Sequence, residues 1–336
     1  MSRVSASADV MEGEKMLGKM KAVIIDKPTT AEEIVLSECE IPETKPGWVL
    51  VQIKAFGMNH SEQILRREEI LEDYIRKPVI PGIECVGVIE DPSDSSFVKG
   101  QKVAALMGGM GRTFHGSYAE YALLPAHHVF AVEASLSWEV LAAVPETYFT
   151  AWGSLFTCLH LTAGDVLLIR GATCALGYAA IALAKAVGCQ VIATTHRESK
   201  LELLADADEA VLDEGNLAEK LKEKGITKAL ELVGPKTVTD TMKCMKNGGI
   251  VCNTGILGGI YTLNDFDPIK DIPNGVYLTG FFSNYPTQEV MTEIFDFIEE
   301  KNISPKVGAS YAFSEIKAAI EAMDSGKVNG KIVVKM

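Results

Sequence analysis

Apolar and polar positions alternate over most of residues 20–141. WVLVQIKAFGMN alternates as a half-buried strand does, and GIECVGVIE and QKVAALM repeat the pattern. KAVII opens this stretch, YAEYALL and HHVFAV follow, and Gly, Pro, Asp and Ser separate the runs. The pattern predicts a compact β-rich unit with short helices. If HHVFAV is extended, His127 and His128 point to opposite faces.

From about Ala142 the pattern changes. VLLIR is a continuous apolar run, as a parallel strand covered on both faces requires. AAIALAKAV reads as helix, QVIATT as strand, KLELLADA as a short helix and EAVLD as strand. NLAEKLKEKG (helix), ALELVG (strand), TVTDTMKCMKNGG (helix) and IVCNTGI (strand) continue the series. This alternation predicts an α/β unit, a doubly wound parallel sheet over residues 142–278. EVMTEIFDFIEEK and EIKAAIEAMDSG then read as amphipathic helices, and GKIVVKM as a closing strand. An isolated strand needs a sheet to join, so residues 279–336 are expected to return to the first unit.

Composition narrows the class. The 336 residues suffice for two domains and a large core, and 47% hydrophobic with 23% charged residues is ordinary for a soluble globular chain. A net charge of −13 disfavours nonspecific binding to nucleic acid or an anionic membrane. No stretch has the length and apolarity of a membrane span. The seven cysteines (Cys39, Cys85, Cys158, Cys174, Cys189, Cys244 and Cys252) form no CxxC pair. They suit a reducing cytoplasm and argue against a disulfide framework or a thiolate zinc site. Residues 1–19, MSRVSASADVMEGEKMLGK, lack the apolar core of a secretory leader and read as a flexible extension.

Candidate chemistry starts at VLLIRGATCALGYAAIALAKAVG, a strand, tight turn and helix in the order a dinucleotide site requires. A GxGxxG fingerprint would place glycines at 172, 174 and 177; the chain has Ala172, Cys174 and Gly177. The third glycine, which lets helix pack closely on strand, is kept. Ala and Cys are small, and the helix N-terminus favours an anion. A tight corner without a ligand is the other reading. Cys174 reads first as a small substitute for glycine and second as a reactive thiol. The next strand ends in Thr194, Thr195 and His196, followed by Arg197, Ser199 and Lys200. The carboxylate that binds ribose hydroxyls in an NAD site is missing there, and a hydroxyl with two cations suits a 2′-phosphate. NADP(H) is therefore expected over NAD, with a solvated loop containing Glu198 as the alternative.

Several stretches together resemble one family: FGMNHSE, PGIECVGVIE, FVKGQKVAALMGGMGRTFHGSYAEYALLP, PETYFTAWGSLF, AGDVLLIRGATCALGYAAIALAK, VIATTHRESK and NGKIVV. In that order they resemble the zinc-independent medium-chain dehydrogenase/reductases, most closely the quinone oxidoreductase (zeta-crystallin-like) branch, across residues 20–336. The resemblance implies a GroES-like domain over residues 20–141 and 279–336 and a Rossmann domain over 142–278. It also implies a homodimer or homotetramer joined at sheet edges near TLNDFDPIK and GVYLTGFF. Thr173, Cys174, Ala175 and Leu176 would hold the pyrophosphate, and Thr195, His196, Arg197 and Lys200 the 2′-phosphate end. Gly255, Ile256 and Leu257 would lie along the cofactor, with Phe281, Phe282 and Ser283 toward the nicotinamide. Asn59, Thr150 and Lys331 are further cofactor-side candidates.

The departures from the family are local. Cys174 and Ala175 stand where the family turn keeps glycine. Asn59, His60, Ser61 and Glu62 stand where quinone reductases often have Asn-Pro-Ser-Asp. Zinc-dependent relatives carry a Cys in the stretch matching residues 58–62 and a His in that matching 82–84. This chain has neither, reading Gly82, Ile83, Glu84, and it lacks the four-cysteine lobe. No metal is expected, and His60 reads as structural or substrate-facing. Without a Lewis acid to hold an alkoxide, acceptors that delocalise the incoming charge are favoured. A quinone is the first expectation, a conjugated enone or alkenal the second, and an NADPH-binding protein with little turnover the third. The pocket between domains is expected to be lined by Asn59, His60, Met107, Phe114 and Phe282. No catalytic residue is assigned; Tyr118 and Tyr148 read as packing.

Overall fold

A computed structural model describes residues 18–336. The extension expected over residues 1–19 lies outside the described residues except for its last two, and Lys19 already opens a strand. β1 (Lys19–Val23) pairs antiparallel with β2 (Leu36–Glu40). There follow β3 (Trp48–Met58), α1 (His60–Arg67), β4 (Glu84–Asp91), β5 (Lys102–Leu106), β6 (Tyr121–Pro125) and β7 (Val129–Ala131). β3 is long enough to serve several neighbours: β4 lies along one side and β6 pairs with its first half. His127 and His128 sit in a 3-10 turn, Ala126–His128, not in a strand, and their rings lie 4.6 Å apart. Pro125, with no N–H to continue a ladder, closes β6 just before them.

α2 (Trp138–Leu141) and α3 (Pro145–Trp152) lead into the second sheet, with a π turn over Gly153–Cys158 ending α3. β8 (Val166–Arg170), α4 (Ala175–Val187), β9 (Gln190–Thr195), β10 (Glu209–Leu212), α5 (Leu217–Leu221), β11 (Lys228–Glu231), α6 (Val238–Lys243), β12 (Ile250–Asn253), α7 (Pro268–Asp271) and β13 (Tyr277–Gly280) follow. All six strands are parallel, in the order β10-β9-β8-β11-β12-β13. The parallel sheet thus runs to Gly280, two residues past the expected boundary. The short helix read at KLELLADA is a 3-10 helix, Glu198–Leu204, which starts two residues earlier. Its first turn is held by an i→i+3 bond from Lys200 N to Arg197 O, 2.9 Å.

The apolar run VLLIR is buried because both faces of β8 are covered. Leu167 and Ile169 pack with α4, while Leu168 packs with Val238 and Met242 of α6; all three strand residues are 0% exposed. Strand order reverses between β8 and β11, which creates a crevice at their carboxyl ends. After α8 (Gln288–Glu300), β14 (Val307–Ala312) and α9 (Ile316–Ser325), β15 (Lys331–Lys335) pairs antiparallel with the second half of β3. The first sheet therefore reads β14-β15-β3-β4-β5-β7 and includes the C-terminal strands. This return brings Lys331 beside Asn59 and Glu84.

Candidate functional site

A cavity of about 960 Å³ runs from the carboxyl ends of the parallel strands to the start of α1 and α3. That is the upper end of the usual range for small-molecule sites, about 300–1,000 Å³. One end is lined by Thr173, Cys174, Ala175, Leu176, His196, Arg197 and Lys200; Gly255, Ile256 and Leu257 line the middle. Asn59, His60, Glu146, Thr150 and Lys331 line the other end.

The turn over residues 171–177 is tied to β9. Ala172 N donates to Thr194 O at 2.9 Å and Gly171 N to Thr194 Oγ1 at 3.1 Å. A Cβ on Gly177 would stand 2.2 Å from Ala172 O, so the close approach of turn and helix requires glycine there. Cys174 caps α4: its Sγ accepts from Gly177 N at 3.4 Å. Burial pushes the Cys174 thiol up. α4 is a thirteen-residue helix whose start faces the cavity, so its first N–H groups and dipole favour an anion there.

Charge at this end is uneven. Arg197 is exposed and its Nε donates to His196 Nε2 at 3.2 Å. Among the described residues neither Arg197 nor Lys200 forms a salt bridge, and burial followed by Arg197 pushes Lys200 down. Asp213 and Glu214 also line this end. Asp213 is held by the buried Arg170, with Nε 2.8 Å and Nη2 3.0 Å away, and Glu214 pairs with Lys220. The uncompensated charge left is positive.

The opposite end is a buried polar network. Asn59 starts α1 in a capping box with Glu62, its N donating to Glu62 Oε2 at 2.7 Å. Lys331 Nζ lies 2.6 Å from both Asn59 Oδ1 and Glu84 Oε1, and Asn59 Nδ2 donates to Glu84 Oε1 at 2.8 Å. The Lys331 and Glu84 side chains are 2% and 0% exposed. Gly57 makes room for them: a Cβ there would stand 2.4 Å from Lys331 Cε and 2.6 Å from Glu84 Oε1. Glu84 Oε2 accepts from Glu146 N at 2.8 Å, at the start of α3. Glu146 Oε1 accepts from Thr150 Oγ1 at 2.9 Å and Ser283 Oγ at 2.7 Å, while its Oε2 is buried with no partner. Burial, with the Glu84 charge adding, pushes Glu146 up to about 8 against the pull of Ser283, Thr150 and Lys331. Burial likewise pushes Glu62 up to about 7.

Several expected residues lie elsewhere. Phe114 packs edge-on against Trp48, ring centroids 5.3 Å apart, so it does not line the cavity. Met107 is held in a left-handed turn after β5 and packs on the core. Phe282 is 72% exposed beside β13, and Phe281 packs edge-on against Phe149, 5.7 Å away. Thr195 is 1% exposed and faces Thr173, Oγ1 to Oγ1 3.3 Å. Ser283 meets the cavity only through Glu146. Tyr118 stacks on Phe56 at 4.7 Å and Tyr148 is 2% exposed; neither lines the cavity. Glu84 and Glu146 escaped the sequence reading as site residues. The available signal was Glu146 four residues before Thr150 at a helix start, in an otherwise apolar run.

The family models match this chain as an alcohol dehydrogenase GroES-like domain over residues 45–134 and a zinc-binding dehydrogenase over residues 205–334. Quinone oxidoreductase of Pongo abelii is 28% identical over 336 residues, covering 96% of this chain and 98% of the relative. Squalestatin tetraketide synthase clz2 of Cochliobolus lunatus is 26% identical over 359 residues; the match covers 99% of this chain but 14% of the synthase. The solved structure of AibC superposes with a TM-score of 0.84 at 24% identity, covering 98% of this chain and 99% of the other, a likeness of fold. Taken together these findings define an NAD(P)H-dependent reductase. The chain belongs to the medium-chain dehydrogenase/reductase family and is quinone-oxidoreductase-like.

The zinc in the second family description finds no matching donor set. Among the described residues no three His, Cys, Asp or Glu side chains group as a metal site, and Glu84 is bonded to the Lys331 ammonium.

Proposed function

We propose that this chain is a zinc-independent reductase that uses NADPH to reduce a quinone. The observation that carries the reading is one continuous cavity with two cations, Arg197 and Lys200, without a salt-bridge partner among the described residues at one end and a buried polar floor at the other. When bound, the reduced nicotinamide supplies a hydride. The start of α4 and residues 173–176 receive the pyrophosphate, and Arg197 and Lys200 receive the 2′-phosphate by charge-assisted bonds. Asn59 and Lys331, fixed by Glu84, orient the reacting end, and His60 faces the acceptor. A conjugated enone or alkenal is the second reading, since it spreads charge onto oxygen as a quinone does. Edge strand β13, with Tyr277 62% exposed, supports a homodimer or homotetramer joined there. The seven unpaired cysteines support a reducing, cytoplasmic setting.

Initial rates with NADPH and NADH, a simple quinone and a simple enone, with and without a chelator, test the reading. The expected result is chelator-insensitive turnover that prefers NADPH and the quinone. A preference for NADH or loss of rate with chelator overturns it. Tight NADPH binding without turnover on any acceptor moves the chain to a binding role.

A further inference from the structure

One carboxyl at the reacting end has no role in the reading above. Glu146 sits in the first turn of α3 and lines the cavity with Thr150 one turn on. Its Oε1 accepts from the Thr150 and Ser283 hydroxyls, and its Oε2 is buried without a donor. An ionised carboxylate would leave that oxygen uncompensated; a carboxylic acid needs less from its surroundings.

The neighbouring groups push the same way. Lys331 on β15 is the nearby cation, and it is bound to Glu84 and Asn59. The free N–H at the start of α3 is also taken by Glu84, on β4. Glu62 on α1 reaches the same network through Asn59. Ser283, after β13, and Thr150, on α3 itself, are uncharged. Glu84 thus receives the counter-charge, and burial holds Glu146 up to about 8, as an acid near neutral pH. Of the two adjacent carboxyls, Glu84 is the one bonded to the Lys331 ammonium and Glu146 the one left without a cation partner among the described residues.

We propose that Glu146 supplies the proton of the reduction, passing it through the Thr150 hydroxyl to the oxygen of the bound acceptor. The proposal rests on the reductase reading. Once a quinone has gained a hydride it is a hydroquinone monoanion and needs one proton. In the structure Thr150 donates to Glu146 Oε1 at 2.9 Å; for the transfer the acid proton sits on Oε1 and the Thr150 hydroxyl turns to the acceptor oxygen, reversing that bond. The Glu146 Oε1–H bond then breaks toward Thr150 Oγ1 as the Thr150 hydroxyl gives its own proton to the acceptor oxygen. The product is a neutral hydroquinone. Glu146, left as carboxylate, is reprotonated by water entering the cavity. Ser283 does not line the cavity, so the route runs through Thr150.

The test uses the full chain as wild type, Glu146→Gln, Thr150→Val, Thr150→Ser and His60→Gln. Infrared titration without cofactor should detect a protonated carboxyl ionising near pH 8 that Glu146→Gln removes. NADPH binding, read by fluorescence, should be unchanged in Glu146→Gln. Its kcat with a quinone should fall by roughly 10²–10⁴-fold, and the wild-type decline in rate above about pH 8 should vanish. Thr150→Val should lower kcat and Thr150→Ser should restore it. Full kcat in Glu146→Gln, a carboxyl already ionised at neutral pH, or loss of the proton step in His60→Gln alone overturns the proposal. A wild-type protein that turns over no acceptor with either cofactor fails the reductase reading and takes this proposal with it.

Discussion

The two ends of the cavity handle charge in different ways. At one end, Arg197 is exposed and Lys200 half-buried, neither has a carboxylate partner among the described residues, and they lie three residues apart. Their fields are screened, and their strength waits for an anion to arrive. At the reacting end, Glu84 and Lys331 are sealed from water and 2.6 Å apart, with Glu62 and Glu146 around them. There the groups are bonded to one another, and removing one leaves another stranded. The exposed end leaves its charges to solvent; the buried end ties its charges to one another.

The largest effect should come from breaking the buried pair. Lys331→Met leaves the Glu84 carboxyl at 0% exposure without its cation, with Asn59 and the Glu146 N–H as its remaining donors among the described residues. Loss of one partner of a buried pair costs about 3–5 kcal/mol. Denaturant unfolding should show that loss, and adding Glu84→Gln to Lys331→Met should recover part of it. A Lys331→Met protein as stable as wild type would mean that water reaches the pair.

The pH dependence of stability sharpens the comparison next. Glu146 is raised from an ordinary value of 4.5 to about 8 in the folded chain. Between those values the folded state keeps a proton that the unfolded state has lost. Its contribution is therefore complete below 4.5 and lost as pH rises through about 8. Glu146→Gln has no such loss, so the variant should gain on wild type as pH rises, by up to about 1.4 kcal/mol per pH unit. Glu62 is raised by the same cause but is common to both proteins and cancels. Unfolding curves across this window check the slope; a constant difference would show Glu146 ionised throughout.

How much of each end could be read from the sequence follows from where its residues lie in the chain. The turn, α4 and the cations after β9 are local: VLLIR announces a strand covered on both faces, Gly177 a close approach, and Arg197 and Lys200 follow within a few residues. The network at the other end is assembled from β4, α3 and β15, and Asn59 meets Lys331 across 272 residues. No local pattern marks that meeting, so Glu84 gave no signal as a site, Glu146 only its spacing of four residues before Thr150, and Lys331 was legible only through family resemblance. Apolar candidates failed for a related reason. Met107, Phe114 and Phe282 carry no address in their chemistry, and packing sends them to a turn, to Trp48 and to solvent.

The smallest predicted effect belongs to the exposed end. Arg197→Ala and Lys200→Ala should each weaken NADPH binding by about 1.5–3 kcal/mol, the worth of a hydrogen bond to a charged group, and leave NADH nearly unchanged. Stability should hardly move, because neither side chain has an ion-pair partner among the described residues to strand. Added salt should narrow the gap between NADPH and NADH in wild type and abolish little in the double variant. Equal losses for both cofactors would place the cations elsewhere along the dinucleotide and remove the basis for preferring NADPH. An unchanged NADPH affinity would show the loop to be only a solvated edge of the sheet, leaving the start of α4 as the anion site at that end.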